Sequence, residues 1–157
     1  MFGLTLAFML SGIQAADVAP ATVTIEEWQV PYAESRPRDP YVHSSEKVWF
    51  VGQRADYAAI LNPQTGDFER IDLPAGVQSM PYAMAADNNG YIWFAETGVQ
   101  PNRIVGFHID SETFTAPVAV PSGGGTVRHM MFDEASQSLW FGADTNTVGQ
   151  ATIRYGE

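Results

Sequence analysis

The feature that most constrains this chain is an aromatic pair that returns three times in one setting: Val48-Trp49-Phe50, Ile92-Trp93-Phe94 and Leu139-Trp140-Phe141. The tryptophans are 44 and 47 residues apart, which matches the ~40–50-residue period of one propeller blade. Other segments repeat in phase. A short apolar stretch precedes each pair (40–43, 81–84 and 127–130), followed by a polar turn such as Asp87-Asn88-Asn89-Gly90. A third stretch comes after each pair (57–61, 103–107 and 148–153), and the first two repeats add a fourth at 68–74 and 114–121. On this alignment the turn of the first repeat is three residues shorter than that of the second.

Turn chemistry such as Asn62-Pro63-Gln64-Thr65-Gly66-Asp67 separates the stretches, and helical periodicity is missing. The second stretch of each repeat is apolar almost throughout, as in Val48-Trp49-Phe50-Val51. A sheet with one wet face alternates apolar and polar residues, so these strands are expected to be covered on both faces, like blades stacked around an axis. The predicted fold is all-β, with three four-stranded β-propeller repeats at about 36–75, 76–122 and 123–157 in a domain spanning 22–157. The third repeat lacks a fourth stretch. Residues 24–31 supply an unassigned one, because Glu27-Trp28-Gln29-Val30-Pro31 parallels Arg70-Ile71-Asp72-Leu73-Pro74. This N-terminal strand is expected to complete the last blade, either of its own chain or of a second copy. Known propellers use ~4–8 blades, so two chains are expected to combine into a six-bladed ring as a homodimer.

Composition narrows the partners. Of 157 residues, 45% are hydrophobic, enough for a core, and the formal net charge of -10 repels nucleic-acid phosphates. With no cysteine there is neither a disulfide nor a thiolate metal site. Residues 1–16 lack charge and carry an apolar run followed by small residues, the pattern of a signal peptide. The run is too short to span a bilayer. The expected location is periplasmic or secreted, with no membrane association after cleavage and a small molecule as ligand.

Arg36-Pro37-Arg38-Asp39-Pro40-Tyr41, Val48-Trp49-Phe50-Val51-Gly52-Gln53, Asn62-Pro63-Gln64-Thr65-Gly66-Asp67-Phe68 and Ile92-Trp93-Phe94-Ala95-Glu96-Thr97 together resemble the streptogramin lyase group, the virginiamycin B lyase-like propellers. The stretch from Pro121 to Met130, with Trp140 to Thr147, is similar to their closing blade. The resemblance covers nearly all of the chain after residue 16, shortened to three repeats. It implies an exported lyase that opens a cyclic ester by elimination. A His base would remove the proton α to the carbonyl, and a magnesium ion held by two glutamates would stabilise the enolate. The family's pattern is Glu-Pro-His with a second Glu fourteen residues after the His.

Carried over by position, the pattern is split between repeats. Glu96 lies fourteen residues after Tyr82 and matches the second, metal-binding glutamate, while Tyr82 and Met80 stand where the His and the first Glu belong. His129 precedes Trp140 by eleven residues, as Tyr82 precedes Trp93, and so matches the catalytic base, with Val127 and Ala143 at the glutamate positions. The resemblance thus assigns His129 as base and Glu96 as Mg2+ ligand. Arg38, Tyr41, Arg54, Tyr82, Arg128 and Asp144 are the candidate substrate-binding residues near strand ends. No single repeat carries the whole set, which leaves a non-catalytic ligand-binding or assembly module as the alternative. Gly123-Gly124-Gly125 precedes a strand and lacks a following Lys-Ser/Thr, so it is a turn and not a phosphate loop. His43 and His108 read as structural.

Overall fold

The computed structural model of the protein describes residues 21–43 and 46–156. The expected signal segment 1–16 lies outside these. Twelve strands form three antiparallel sheets. The first blade orders β1 (Pro37–Val42), β2 (Val48–Gly52), β3 (Tyr57–Asn62) and β4 (Asp67–Asp72) side by side. In the second, β5 (Pro81–Ala86), β6 (Tyr91–Glu96) and β7 (Arg103–His108) are followed by β8 (Thr113–Phe114) and β9 (Val118–Ala119), both paired with β7. The expected fourth strand at 114–121 is therefore split. Pro117 sits at the break, where it has no N–H to give to a ladder. The third blade has only β10 (Val127–Asp133), β11 (Ser138–Ala143) and β12 (Thr147–Thr152).

The blades stack through the aromatic pairs, whose two rings point to opposite faces because side chains alternate along a strand. Trp49, with Val51, Ile60 and Leu73, meets Ile92, Phe94, Val105 and Phe107 of the next blade. One blade on, Trp93, Ala95, Ile104 and Val120 meet Val127, Leu139 and Phe141. At both junctions tryptophan is thus the forward contact of one blade and phenylalanine the backward contact of the next. Trp93 also donates its indole N–H to Asp87 Oδ2 at 2.8 Å, which ties the ring to its own hairpin turn. Gly106 lies directly under that ring: a Cβ there would come within 2.8 Å of Trp93 Cζ3, so only glycine lets the indole lie flat on the strand.

One expectation is corrected here. Residues 24–31 form no strand and do not complete the third blade of their own chain. Val30 and Tyr32 instead pack on Phe50, Tyr57 and Leu61, the backward face of the first blade, and Trp28 lies beside Gly66 in the β3–β4 turn. Of this segment Val30 and Tyr32 are partly buried on the first blade, at the far end of the stack from β12, while Ile25 stays exposed.

The register also revises how the repeats align. Pro37 pairs with Gly52, Pro81 with Glu96 and Val127 with Ala143, while Tyr41, Ala85 and Met131 sit opposite the three tryptophans. Arg38, Tyr82 and Arg128 are therefore equivalent, as are Asp39, Ala83 and His129. The first turn is not three residues short, since Pro37 and Pro81 each precede their tryptophan by twelve residues. The third hairpin is one residue longer, and this displaced the count that matched His129 to Tyr82.

Replacing Trp93 by alanine removes a buried inter-blade contact, and Trp93→Ala is expected to cost about 3–5 kcal/mol of stability, read as a lower urea midpoint at unchanged slope.

Candidate functional site

The first strands β1, β5 and β10 converge on the axis, and between them lies an open cleft of about 490 Å³. Asp39 and Tyr41, Met84, and His129 and Met131 line it from the three blades. Each inner strand carries a bulge near its start, between Arg38 and Tyr41, Pro81 and Met84, and Val127 and His129. Such an extra residue re-aims side chains locally. In the first blade it is made by Asp39 in the left-handed region (φ 48°), whose carboxylate accepts the Met84 N–H at 3.3 Å and so bridges two blades. Burial raises the Asp39 carboxyl above its ordinary range, opposed in part by the Met84 N–H and by the nearby charges of His129 and Arg38.

The three equivalent positions meet just outside the residues that line the cleft, Arg38 and Arg128 each one residue before a lining residue. The Arg38 guanidinium carbon lies 4.1 Å from the centre of the Tyr82 ring and that of Arg128 lies 5.2 Å away. Arg128 also donates to the Tyr82 hydroxyl at 3.1 Å and holds Asp144 by two parallel hydrogen bonds of 2.8 Å. That pairing keeps the Asp144 carboxyl below its usual value and pushes the Arg128 guanidinium up. Arg38 is fixed through its Nε, which donates to Gln53 Oε1 at 2.6 Å. Among the described residues it enters no salt bridge. Arg54 stands exposed in the short 3-10 turn Gln53–Ala55, next to the residue that holds Arg38.

Glu96 ends β6 at this same end of the blades but points away from the cleft. It is fully buried, with Oε2 2.6 Å from Arg103 Nε and Oε1 accepting the Ala75 N–H at 2.8 Å. Both oxygens thus fasten the loop after β4 to the second blade. A magnesium ion needs several free oxygen ligands, and the donor set around Glu96 does not fit one. Among the described residues no group of three His, Asp or Glu could hold a metal. Four of the candidate binding residues, Arg38, Tyr82, Arg128 and Asp144, come together. Tyr41 and His129 face the cleft below them, and Glu96 is not among the residues that line it. Sequence reasoning gave Asp39 and Gln53 no role in the site, although the equal spacing from Pro37 and Pro81 to their tryptophans was available to show that Arg38 shares the position of Tyr82.

The three sheets are blades of a β-propeller. Virginiamycin B lyase from Staphylococcus aureus, as its selenomethionine derivative, superposes with a TM-score of 0.65 at 18% identity, over 84% of this chain and 46% of that one. A streptogramin B lyase gives 0.60 at 21% identity, over 83% and 45%. The extracellular domain of a putative one-component system from B. thetaiotaomicron gives 0.55 at 13%, over 76% and 14%. No family model matches the chain, and no curated protein matches it. At these identities the likeness is one of fold, and the chain spans about half the length of the lyases. Among the described residues, no helix is long and apolar enough to cross a membrane.

Two variants separate structural from functional duty here. Glu96→Ala leaves Arg103 and the Ala75 N–H without their acceptor and is expected to lower stability by roughly 2–4 kcal/mol in urea unfolding, with no shift of the melting temperature on adding magnesium. For Asp39 the folded-state pKa is raised, so stability falls as pH rises from the ordinary 3.8 through the folded value. Asp39→Asn, which keeps an acceptor for Met84 and tolerates the left-handed backbone, is expected to melt higher than the parent at pH 7 and to lose that advantage below pH 3.8.

Proposed function

We propose that the chain is a ligand-binding propeller module whose axial cleft takes a small organic anion. Its acid group would sit at the Arg38–Tyr82–Arg128 rim, and its remainder would lie against Tyr41, Met84 and Met131. The observation that supports this reading is the stacking of two guanidinium groups on one tyrosine at the mouth of the cleft, in a chain of net charge -10. Arg38 is oriented by Gln53, and a planar guanidinium suits a carboxylate through two parallel hydrogen bonds. Export, expected from residues 1–16, puts this role in the periplasm or outside the cell.

The second reading, membership of the virginiamycin B lyase-like family with elimination chemistry, draws on the motifs and on His129 facing the cleft beside Asp39. The set this chemistry requires is altered in this chain. Tyr82 fills the position of the base and is clamped by Arg128, and Glu96 is consumed by Arg103 and Ala75. Binding is therefore the stronger reading, and no reaction step is assigned to the site.

A calorimetric screen with small mono- and dicarboxylates tests it. At least one is expected to bind, with Arg38→Gln weakening it roughly 10–100-fold, the loss of one charged hydrogen-bonding group, while the melting temperature stays unchanged. In parallel, quinupristin, the compound named with a catalytically inactive variant of the S. aureus lyase, is expected to emerge intact by mass spectrometry. A linear product that disappears in His129→Ala would replace the binding reading with the lyase one.

A further inference from the structure

The two ends of the blade stack are unlike, and the difference points to a partner. Trp49 and Trp93 are 2% and 9% exposed because each forward face is covered by the backward face of the next blade. Trp140, the third member of the series, is 39% exposed. Met131, its cross-strand neighbour, and Val148 are bare around it on the same forward face. Among the described residues, no strand lies beside the outer edge of β12. Such an edge is a template for pairing.

At the opposite end, the backward face of the first blade, with Phe50 and Leu61, is crossed by residues 28–32. Their placement follows a rule visible twice elsewhere. Leu73-Pro74 follows the fourth strand of the first blade and Leu73 packs at the boundary with the second; Val120-Pro121 follows β9, and Val120 packs at the boundary with the third. Val30-Pro31 has the same sequence pattern and the same environment, against the backward face of the first blade. Residues 24–31 therefore occupy the fourth-strand position of a blade that precedes the first, and the other three strands of that blade are not beside them.

We propose that those strands are β10, β11 and β12 of a second copy of this chain. The open edge of β12 pairs with residues 24–31 of the other copy, and the Trp140 face covers its Phe50 face. The two patches differ, so the contact is head-to-tail, and two such contacts related by a twofold axis close a six-bladed ring. The occupant matches on two counts. Among the described residues the third blade holds one strand fewer than the first, and the segment waiting on the first blade is one strand long with Val23 and Ile25 exposed.

The equivalences fix the register. Gln150 and Ile60 both lie opposite their blade's tryptophan, Ile60 pairs with Glu69, and aligning Pro31 with Pro74 puts Glu26 at the place of Glu69. Glu26 of one copy is thus expected opposite Gln150 of the other. Light scattering on the eluting purified chain is expected to give twice the chain mass. Trp140→Glu is expected to return it to one chain mass with its β-sheet circular dichroism intact. Because the chain has no cysteine, chains carrying Glu26→Cys and Gln150→Cys, mixed and oxidised, are expected to yield a covalent heterodimer that neither gives alone. A folded single-chain species at every concentration overturns the second copy as occupant. A two-chain species that forms no cross-link between these variants overturns the strand exchange.

Discussion

Everything in this protein rests on the way one tryptophan–phenylalanine pair faces two ways. Adjacent residues on a strand point to opposite faces, so each pair ties its blade forward through the indole and backward through the phenyl ring. Burying aromatic side chains of this size supplies most of what holds such sheets together, and without cysteines there is no covalent alternative. The glycine beneath Trp93 belongs to the same device, since a larger residue would lift the ring and open the gap between blades. The angle between blades then sets where β1, β5 and β10 converge, and with it the size of the axial cleft.

The same scaffold fixes where a residue stands without fixing what it does. Glu96 keeps its fourteen-residue distance from Tyr82 because both are placed by the β5–β6 register, in which Pro81 pairs with Glu96. That register says where a carboxylate stands and nothing about what it holds. With Arg103 opposite it on β7, the carboxylate is neutralised by a neighbour on its own sheet, and the Ala75 N–H takes its second oxygen. A fold constrains positions and leaves roles to the atoms that fill them.

The blades were legible from sequence because the forces that build them are local and periodic: the Trp-Phe pairs, the turn residues and the continuous apolar runs recur in phase. The inner strands were harder. Aligning Tyr41 with Tyr82 relied on the Pro-Tyr dipeptides at 40–41 and 81–82, whereas the sheet follows the distance from Pro37 and Pro81 to their tryptophans. His129 was matched by counting back through a hairpin one residue longer than its counterpart, and a single residue of error exchanges one face of a strand for the other. Residues 24–31 were recognised as a fourth strand by their likeness to Arg70–Pro74, and the missing fourth stretch of the last repeat named the three strands they would join, but sequence did not show that within one chain they lie on the opposite end of the stack. The Glu96–Arg103 pair was also out of reach, since cross-strand partners depend on a register that only coordinates supply.

The bulges give the site its layering. Because each inner strand inserts one residue just past its rim position, the rim and the next step into the cleft are occupied by consecutive residues, Arg38 and Asp39 in one blade and Arg128 and His129 in another. An unbulged strand would send consecutive side chains to opposite faces. Here two guanidinium groups stacked on Tyr82 stand one residue step from an acid and an imidazole, in a chain otherwise short of positive charge. A ligand of the proposed kind would carry an acidic group at one end and, one residue step deeper, a polar group able to meet Asp39 and His129, with its apolar body against Met84 and Met131.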